Sequence, residues 1–447
     1  MTDLTRQIVR RTRPLTHAAL PDEIRALARQ CVQDTIAVAL AGAADDLVRI
    51  LRAELEEAGG TPQSSVWGST LRLPAGAAAL LNGTMGHALD YDDVNLAMPG
   101  HPTVAILPAV MALGEARGAS GAEVMAAFVV GYETACRIGR VMAPGHYDVV
   151  GFHATGTVGT FGAAAGCAHL LGLDEEQTLH ALGIAATQAA GLKSMFGTMC
   201  KPLHAGRAAQ NGLLAAKLAA RGFIARPDSL ECVQGFARTH SPDFHPQAAL
   251  EDPAGGFHIR ANLFKYHAAC YLTHAGIEAA RMLRDRPGVA ADRIAAITLR
   301  VDECTDRVCN IAAPRTGLEA KFSHRLTAAM ALAGLETSRL DCFTATVAAD
   351  PRIVALRDKV SVELLPHFGP THAVMDIRLI DQTTLSAEYD AGIPAADVAH
   401  QGGRIRAKFD GLVAPILGGE RGAALGDAIG AIDRAPSVAA LAPLWAA

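Results

Sequence analysis

The chain has 447 residues, of which 50% are hydrophobic, 19% charged and 5% aromatic, with a formal net charge of -5. Mild acidity without a long basic stripe argues against a nucleic-acid partner, and no apolar run approaches the roughly 20 residues that span a bilayer. The N-terminus lacks an apolar signal-peptide core, and nine cysteines without a CxxC pair read as reduced, cytosolic thiols rather than a disulfide scaffold.

Alanine and glycine carry much of the apolar fraction, and small residues let helices approach closely, so a largely helical protein is expected. PDEIRALARQCVQDTIAVALAG opens on a proline and two acids. It then places Ile24, Leu27, Ala28, Cys31 and Val38 near a helical period, with Gly42 as its stop. Ala-rich helices are predicted over 73–88 and 103–118, on either side of the acidic run LDYDDVNLAMPGHPTVA. Ser120-Gly-Ala-Glu123 has capping-box spacing before AAFVVGYETACRIGRVM, and Asp174 to Gln177 forms a related acid-first start. Between them, Gly156, Gly159, Gly162 and Gly166 stand three or four apart, a bare stripe on which a neighbouring helix can lie closely.

Through about residue 225 the chain reads as packed helices. The hydrophobic period then shortens to two: Ile297, Leu299, Val301; Val360, Val362, Leu364; Met375, Ile377, Leu379. Helices at 272–284 and 321–336 lie among these strands, and few long βαβ repeats are visible, which predicts a smaller α+β domain. The chain turns helical again from 404, around KFDGLVAPILG. The expected fold is mostly α: a large helical-bundle-like domain with a smaller α+β domain, a mixed α/β lid.

Four segments carry candidate chemistry. Asp90, Asp92 and Asp93 lack EF-hand spacing, and no HExxH or paired-Cys motif accompanies them, so no metal is expected. Asp92 and Asp93 read as a turn or helix cap, and Asp90, at a helix end, as the carboxylate with an internal role. Pro102 restricts His101 to extended backbone, which points the imidazole in one direction, into a pocket or into solvent. His153 precedes a glycine-rich helix start, where a substrate carboxylate can meet free amides. Tyr147 becomes a base only beside a cation, because its reference pKa is about 10.

In MCKPLHAGRAAQNG, Lys201, His204 and Arg207 are spaced three apart, near one helix face. Pro202 puts Lys201 at the helix start, where the dipole and nearby positive charge favour its neutral form. Arg207 is a candidate bidentate clamp for a carboxylate. NLFKYHAACYLTHAG crowds Lys265, His267, Cys270 and His274 into ten residues, a possible polar rim, although Cys270 lacks a convincing paired base. No GxGxxG on a strand, GxxxxGK[ST] loop or GxSxG is present, so no cofactor is expected.

Taken together, NGTMGHALDYDD with the following HP, GFHATGTVG, KPLHAGRAAQNG and the 265–274 run resemble the MmgE/PrpD family over almost the whole chain. The resemblance is greatest to the iminodisuccinate epimerases within it. It implies a large helical domain, 1–269 completed by 405–447, and a smaller α+β domain, 270–404, that enclose a pocket in a cytoplasmic homodimer. It sets the family's catalytic aspartate on Asp90, its loop histidine on His101, its second histidine on His153 and its lysine on Lys201. Val94 departs from a common threonine, Cys270 from a histidine of the decarboxylase-like pattern, and one additional residue separates the acidic motif from the loop histidine.

The reaction implied is a cofactor-independent 1,1-proton transfer at the Cα of a small N-substituted dicarboxylate, with no nucleic acid or membrane as partner. Lys201 and Tyr147 are the expected proton-transferring pair. His101 and His153 would orient substrate, and Asp90 would fix an imidazole tautomer. Arg207 or Arg140 would hold carboxylate, with His267, His274 and Cys270 as further substrate contacts. Dehydration of 2-methylcitrate or a similar hydroxy tricarboxylate is the alternative, and a noncatalytic anion-binding protein is the third reading.

Overall fold

The computed structural model describes residues 3–446; Met1, Thr2 and Ala447, at the ends of the expected large domain, lie outside the described residues. Helices account for 59% of the chain, and the larger of its sheets is a small mixed one, so the protein is mostly α with an α+β region. The two hydrophobic periods of the sequence predict that class. The chain forms two compact units, one running to Phe264 and resuming at Ala396, the other spanning Lys265–Ala395.

In the first unit the Asp22–Gly42 helix follows Pro21 and carries Asp22 and Glu23 in its first turn, where the dipole favours acids. Ser120 and Asp174 both close full capping boxes, on the helices Gly121–Met142 and Glu175–Ala186. The helices Ala75–His87, Pro102–Arg117 and Ala154–Leu170 are buried along most of their length. That suits a core position, because an apolar surface all round leaves no face for water.

Close approach is what the glycine stripe provides. Ideal β-carbons on Gly159, Gly162 and Gly166 would come within 2.6–2.9 Å of Ala105, Ala135 and Ala127 on neighbouring helices. The Cys200–Ala220 helix crosses Ala75–His87 at another pair, Gly206 and Gly83, and so carries Lys201 and His204 toward the end of the earlier helix. The helix Val398–Leu417 begins ahead of the predicted residue 404, since the Asp397 side chain caps it by accepting from the His400 amide. It packs on Asp22–Gly42, where Gln30 Nε2 donates to the Val398 carbonyl at 2.8 Å. Among the described residues, no helix is long and apolar enough to cross a membrane.

The second unit holds a four-stranded mixed sheet. Ile294–Asp302 pairs in parallel with Val360–Leu365 and antiparallel with His372–Leu379, which pairs antiparallel with Thr384–Asp390. Ile297 faces Ile377 and Leu299 faces Met375 in register, all four buried, so the period-two pattern marks the sheet's covered side. The helix His274–Arg284 lies close to that side, with Gly276 near Leu299. The 265–270 stretch is not helical. Its amides at Ala268 and Cys270 donate to the Thr337 and Lys321 carbonyls, and a 3-10 turn at Tyr271–Thr273 leads into the α-helix that begins at His274.

Candidate active site

The site grows from the end of the Ala75–His87 helix. Asp90 turns the chain with a left-handed φ of 50°, uncommon for a residue with a side chain. The turn sends Asp92 back under His87. Asp92 is fully buried, and its carboxylate lies 2.9 and 3.0 Å from His87 Nδ1 and 3.2 Å from His101 Nδ1. The other ring nitrogen of His101 is 3.5 Å from Asp90 Oδ1, which in turn is 2.8 Å from Lys201 Nζ. A continuous path therefore runs Lys201, Asp90, His101, Asp92, His87.

A second pair stands beside it. His153 Nδ1 is 3.1 Å from His204 Nδ1, so one imidazole donates to the other. The His153 ring lies 5.7 Å from that of His87 and 6.5 Å from that of His101. Close approach again permits this, because Gly156 leaves room for the Ala190 carbonyl and the His204 side chain. Phe196 touches both groups: its ring centre is 4.9 Å from His153, edge to face, and 5.1 Å from Lys201 Nζ.

Burial sets the charge states. For Asp92, burial alone raises the pKa, but His101 and His87 outweigh it and hold the group well below the usual carboxylate range. His87 is lowered to about 4 by burial, which overcomes the pull of Asp92. Burial, reinforced by His87 and Lys201, holds His153 well below its ordinary value, and burial and Lys201 lower His204. Burial thus favours the neutral imidazole at His87, His153 and His204, beside a carboxylate held ionised.

Three helices point their N-termini here. His101 precedes Pro102–Arg117, His153 precedes Ala154–Leu170, and Lys201 sits in the first turn of Cys200–Ala220. None of the three has a side-chain cap or an acid in its first turn. Their dipoles sum to a positive potential, although in the third helix the Cys200 and Lys201 amides already donate to Thr198.

Asp90, His101, His153 and Lys201 thus come together. Tyr147 has different company: Lys193 Nζ lies 3.7 Å over its ring and donates to its carbonyl at 3.0 Å. Arg207 is exposed and bonds Gln210, because six residues along a helix carry it about 120° from Lys201. Arg140 is tied to Glu251 at 3.0 Å. His267, His274 and Cys270 belong to the second unit; there His267 bridges Glu278 and Thr337, and His274 lies 3.3 Å from the Ala269 carbonyl.

Asp92 and Asp93 correct the turn-or-cap reading, since both are fully buried. Asp93 accepts from the Thr103 hydroxyl, and burial pushes its carboxyl up to about 7. The sequence reading passed over His87 and Phe196, and placed His204 on the Lys201 face without giving it a role. A signal existed for His87, five positions before Asp92 at a helix end, and for His204, one turn after Lys201.

His87, Asp90, Asp92 and His101 each present a donor atom, the four within 4.8 Å of one another. Two imidazoles and two carboxylates suit a first-row divalent ion by ligand type. Here, however, Asp90 already faces the Lys201 ammonium and Asp92 is shared between two rings. Both carboxylates are thus already paired with protein groups.

A mostly helical fold that gathers histidines, carboxylates and a lysine at converging helix starts points to a class of enzyme. The chain belongs to the MmgE/PrpD family: residues 6–249 match the MmgE/PrpD N-terminal domain and residues 267–430 the C-terminal domain. It is 29% identical over 396 residues to the human cis-aconitate decarboxylase, covering 83% of this chain and 79% of that protein. The mouse cis-aconitate decarboxylase is 29% identical over 393 residues, covering 83% and 78%. That of Aspergillus terreus is 33% identical over 223 residues, covering 47% and 46%.

Proposed function

We propose that the protein is a cofactor-independent lyase that acts on a small tricarboxylate by moving a proton at a carbon beside a carboxylate. The observation that carries this is the meeting of Lys201, Asp90 and His101 with three helix N-termini. The helix starts and Lys201 hold the carboxylates and stabilise an enolate-like anion. In a decarboxylation the C–CO2 bond breaks, its electron pair stays on carbon and CO2 leaves. Lys201 Nζ or His101 Nε2 then delivers a proton to that carbon. Likeness to the cis-aconitate decarboxylases supports this direction. In a dehydration of a hydroxy tricarboxylate, one group of the set takes the proton from the carbon beside a carboxylate. The C–O bond on the next carbon breaks as the double bond forms, and another group protonates the departing hydroxide to water.

A second reading, epimerisation of iminodisuccinate, is favoured by the His153–His204 pair, a second proton-transferring set beside the Lys201 path. Two such sets serve two faces of one stereocentre. Purified protein incubated in deuterium oxide, with and without chelator, separates the readings by NMR. Loss of CO2 or water from cis-aconitate or 2-methylcitrate, with deuterium in the decarboxylated product, supports the lyase. Deuterium at Cα of iminodisuccinate with an intact skeleton supports the epimerase, and no reaction with any of the three sinks both. Turnover that survives the chelator supports the metal-free relay.

Nine free thiols fit a cytosolic setting. A homodimer is the assembly the family resemblance implies, which sedimentation equilibrium would test.

A further inference from the structure

Tyr91 separates the two carboxylates of the site, and it is held from far along the chain. Lys408, on the Val398–Leu417 helix, donates from Nζ to the Tyr91 carbonyl at 2.7 Å and lies 3.8 Å over the Tyr91 ring. The same ammonium is 2.6 Å from Asp34 Oδ1 on the Asp22–Gly42 helix. The side chains of Lys408 and Asp34 are 2% and 0% exposed, and Tyr91 is 1% exposed.

We propose that Lys408 is a positioning residue for Asp90 and Asp92, acting through the backbone and ring of Tyr91. The carbonyl that Lys408 grips belongs to the peptide unit whose nitrogen is that of Asp92, so holding it fixes the plane from which Asp92 departs. Asp92 then has one direction available, between His87 and His101. On the other side of Tyr91, Asp90 holds its left-handed turn, a conformation that persists only where surrounding contacts over-determine it. From there Asp90 reaches Lys201 and His101.

A buried lysine is an expensive way to fill space. Desolvating its charge costs more than packing a hydrophobic side chain of similar volume, unless a counter-charge and hydrogen bonds compensate. Asp34 supplies the counter-charge, the Tyr91 carbonyl takes a second donor, and the ring faces the cation. A methionine would fill the volume without gripping the carbonyl. The proposal rests on the site assignment above but not on the identity of the substrate.

The test is the double variant Asp34→Asn/Lys408→Met, which removes the charge pair together and avoids a lone buried ion. Amide exchange by mass spectrometry, read without substrate, is expected to quicken at least tenfold over 88–95 and to stay unchanged over 154–170. With a substrate that the wild type turns over, kcat falls at least tenfold while KM stays within threefold. A purely structural pair gives a different result: faster exchange across 22–42 and 398–417, a lower Tm, and no change at 88–95 or in kcat. That result overturns the proposal. If the double variant does not fold, Lys408→Arg keeps the charge pair but displaces the donor. The same two readouts should then show a smaller loss confined to 88–95, and wild-type values on both overturn the proposal. Should the wild type process none of the acids, the functional reading fails while the exchange result still stands.

Discussion

Gly206 lies directly against Gly83: a β-carbon on Gly83 would come within 2.8 Å of the Gly206 Cα. This crossing brings Lys201 and His204, on one helix, alongside His87, on the other. Gly206→Ala should therefore lower stability by about 1–3 kcal/mol through overpacking against Leu80 and Thr84. Helix propensity alone would raise it by about 1 kcal/mol, so the sign of the change in thermal midpoint reports the crossing. Turnover should fall as well, because two site residues ride on the displaced helix. An unchanged or higher midpoint contradicts the packing described.

Lys201→Ala should leave the protein folded and reduce kcat by about 10²–10⁴, the range a positioned proton donor contributes. Its ammonium meets Asp90 at 2.8 Å, and the remaining path through His101 to His87 supports the site without it. Circular dichroism checks the fold and steady-state kinetics the loss. Activity within threefold of wild type removes Lys201 from the mechanism.

His87 links the site to pH. Burial holds its pKa to about 4, below the ordinary 6.5. As pH falls, the unfolded chain takes up this proton first. The stability present above pH 6.5 is therefore withdrawn between about 6.5 and 4, to a ceiling of about 3 kcal/mol. His87→Gln, which can still donate to Asp92, should show a shallower fall in urea midpoint between pH 7 and pH 4.5. Parallel curves for variant and wild type would refute this.

Asp93 has the opposite sign. Burial raises its pKa to about 7, even though the Thr103 hydroxyl favours the charged form. Its contribution is complete below pH 4 and is lost as pH rises through 7. Asp93→Asn keeps an acceptor for Thr103 without the charge. It should gain about 2 kcal/mol or more over wild type at pH 8, and almost nothing at pH 4. Chemical denaturation at the two pH values measures the difference, and an equal effect at both would rule the account out.

Much of the site was legible in the chain because its signals are local. Pro102 and Pro202 mark helix starts at His101 and Lys201, the glycines after His153 mark a third, and Asp90 follows a helix end. Capping boxes at Ser120 and Asp174, and alternation at Ile297 to Val301, likewise declare their elements within a few residues. His204 was visible one turn from Lys201, yet its meeting with His153 needed Gly156 to admit it. Tyr147 and Arg207 carry plausible chemistry, but Lys193 and Gln210 are what they touch.

The sequence by itself determined which stretches are helix or strand and where the helix starts that bear functional groups lie, since capping, proline placement and hydrophobic period act over a few residues. Tertiary structure alone decided which side chains share a pocket and what charge each carries. Asp92 and Asp93 are adjacent and identical in type, yet one lies between two imidazoles and the other against a hydroxyl, and their pKa values move in opposite directions. The physical reason is that desolvation and neighbouring charge depend on what the turn and the helix crossings pack around each carboxylate, including groups as far along the chain as Asp34 and Lys201.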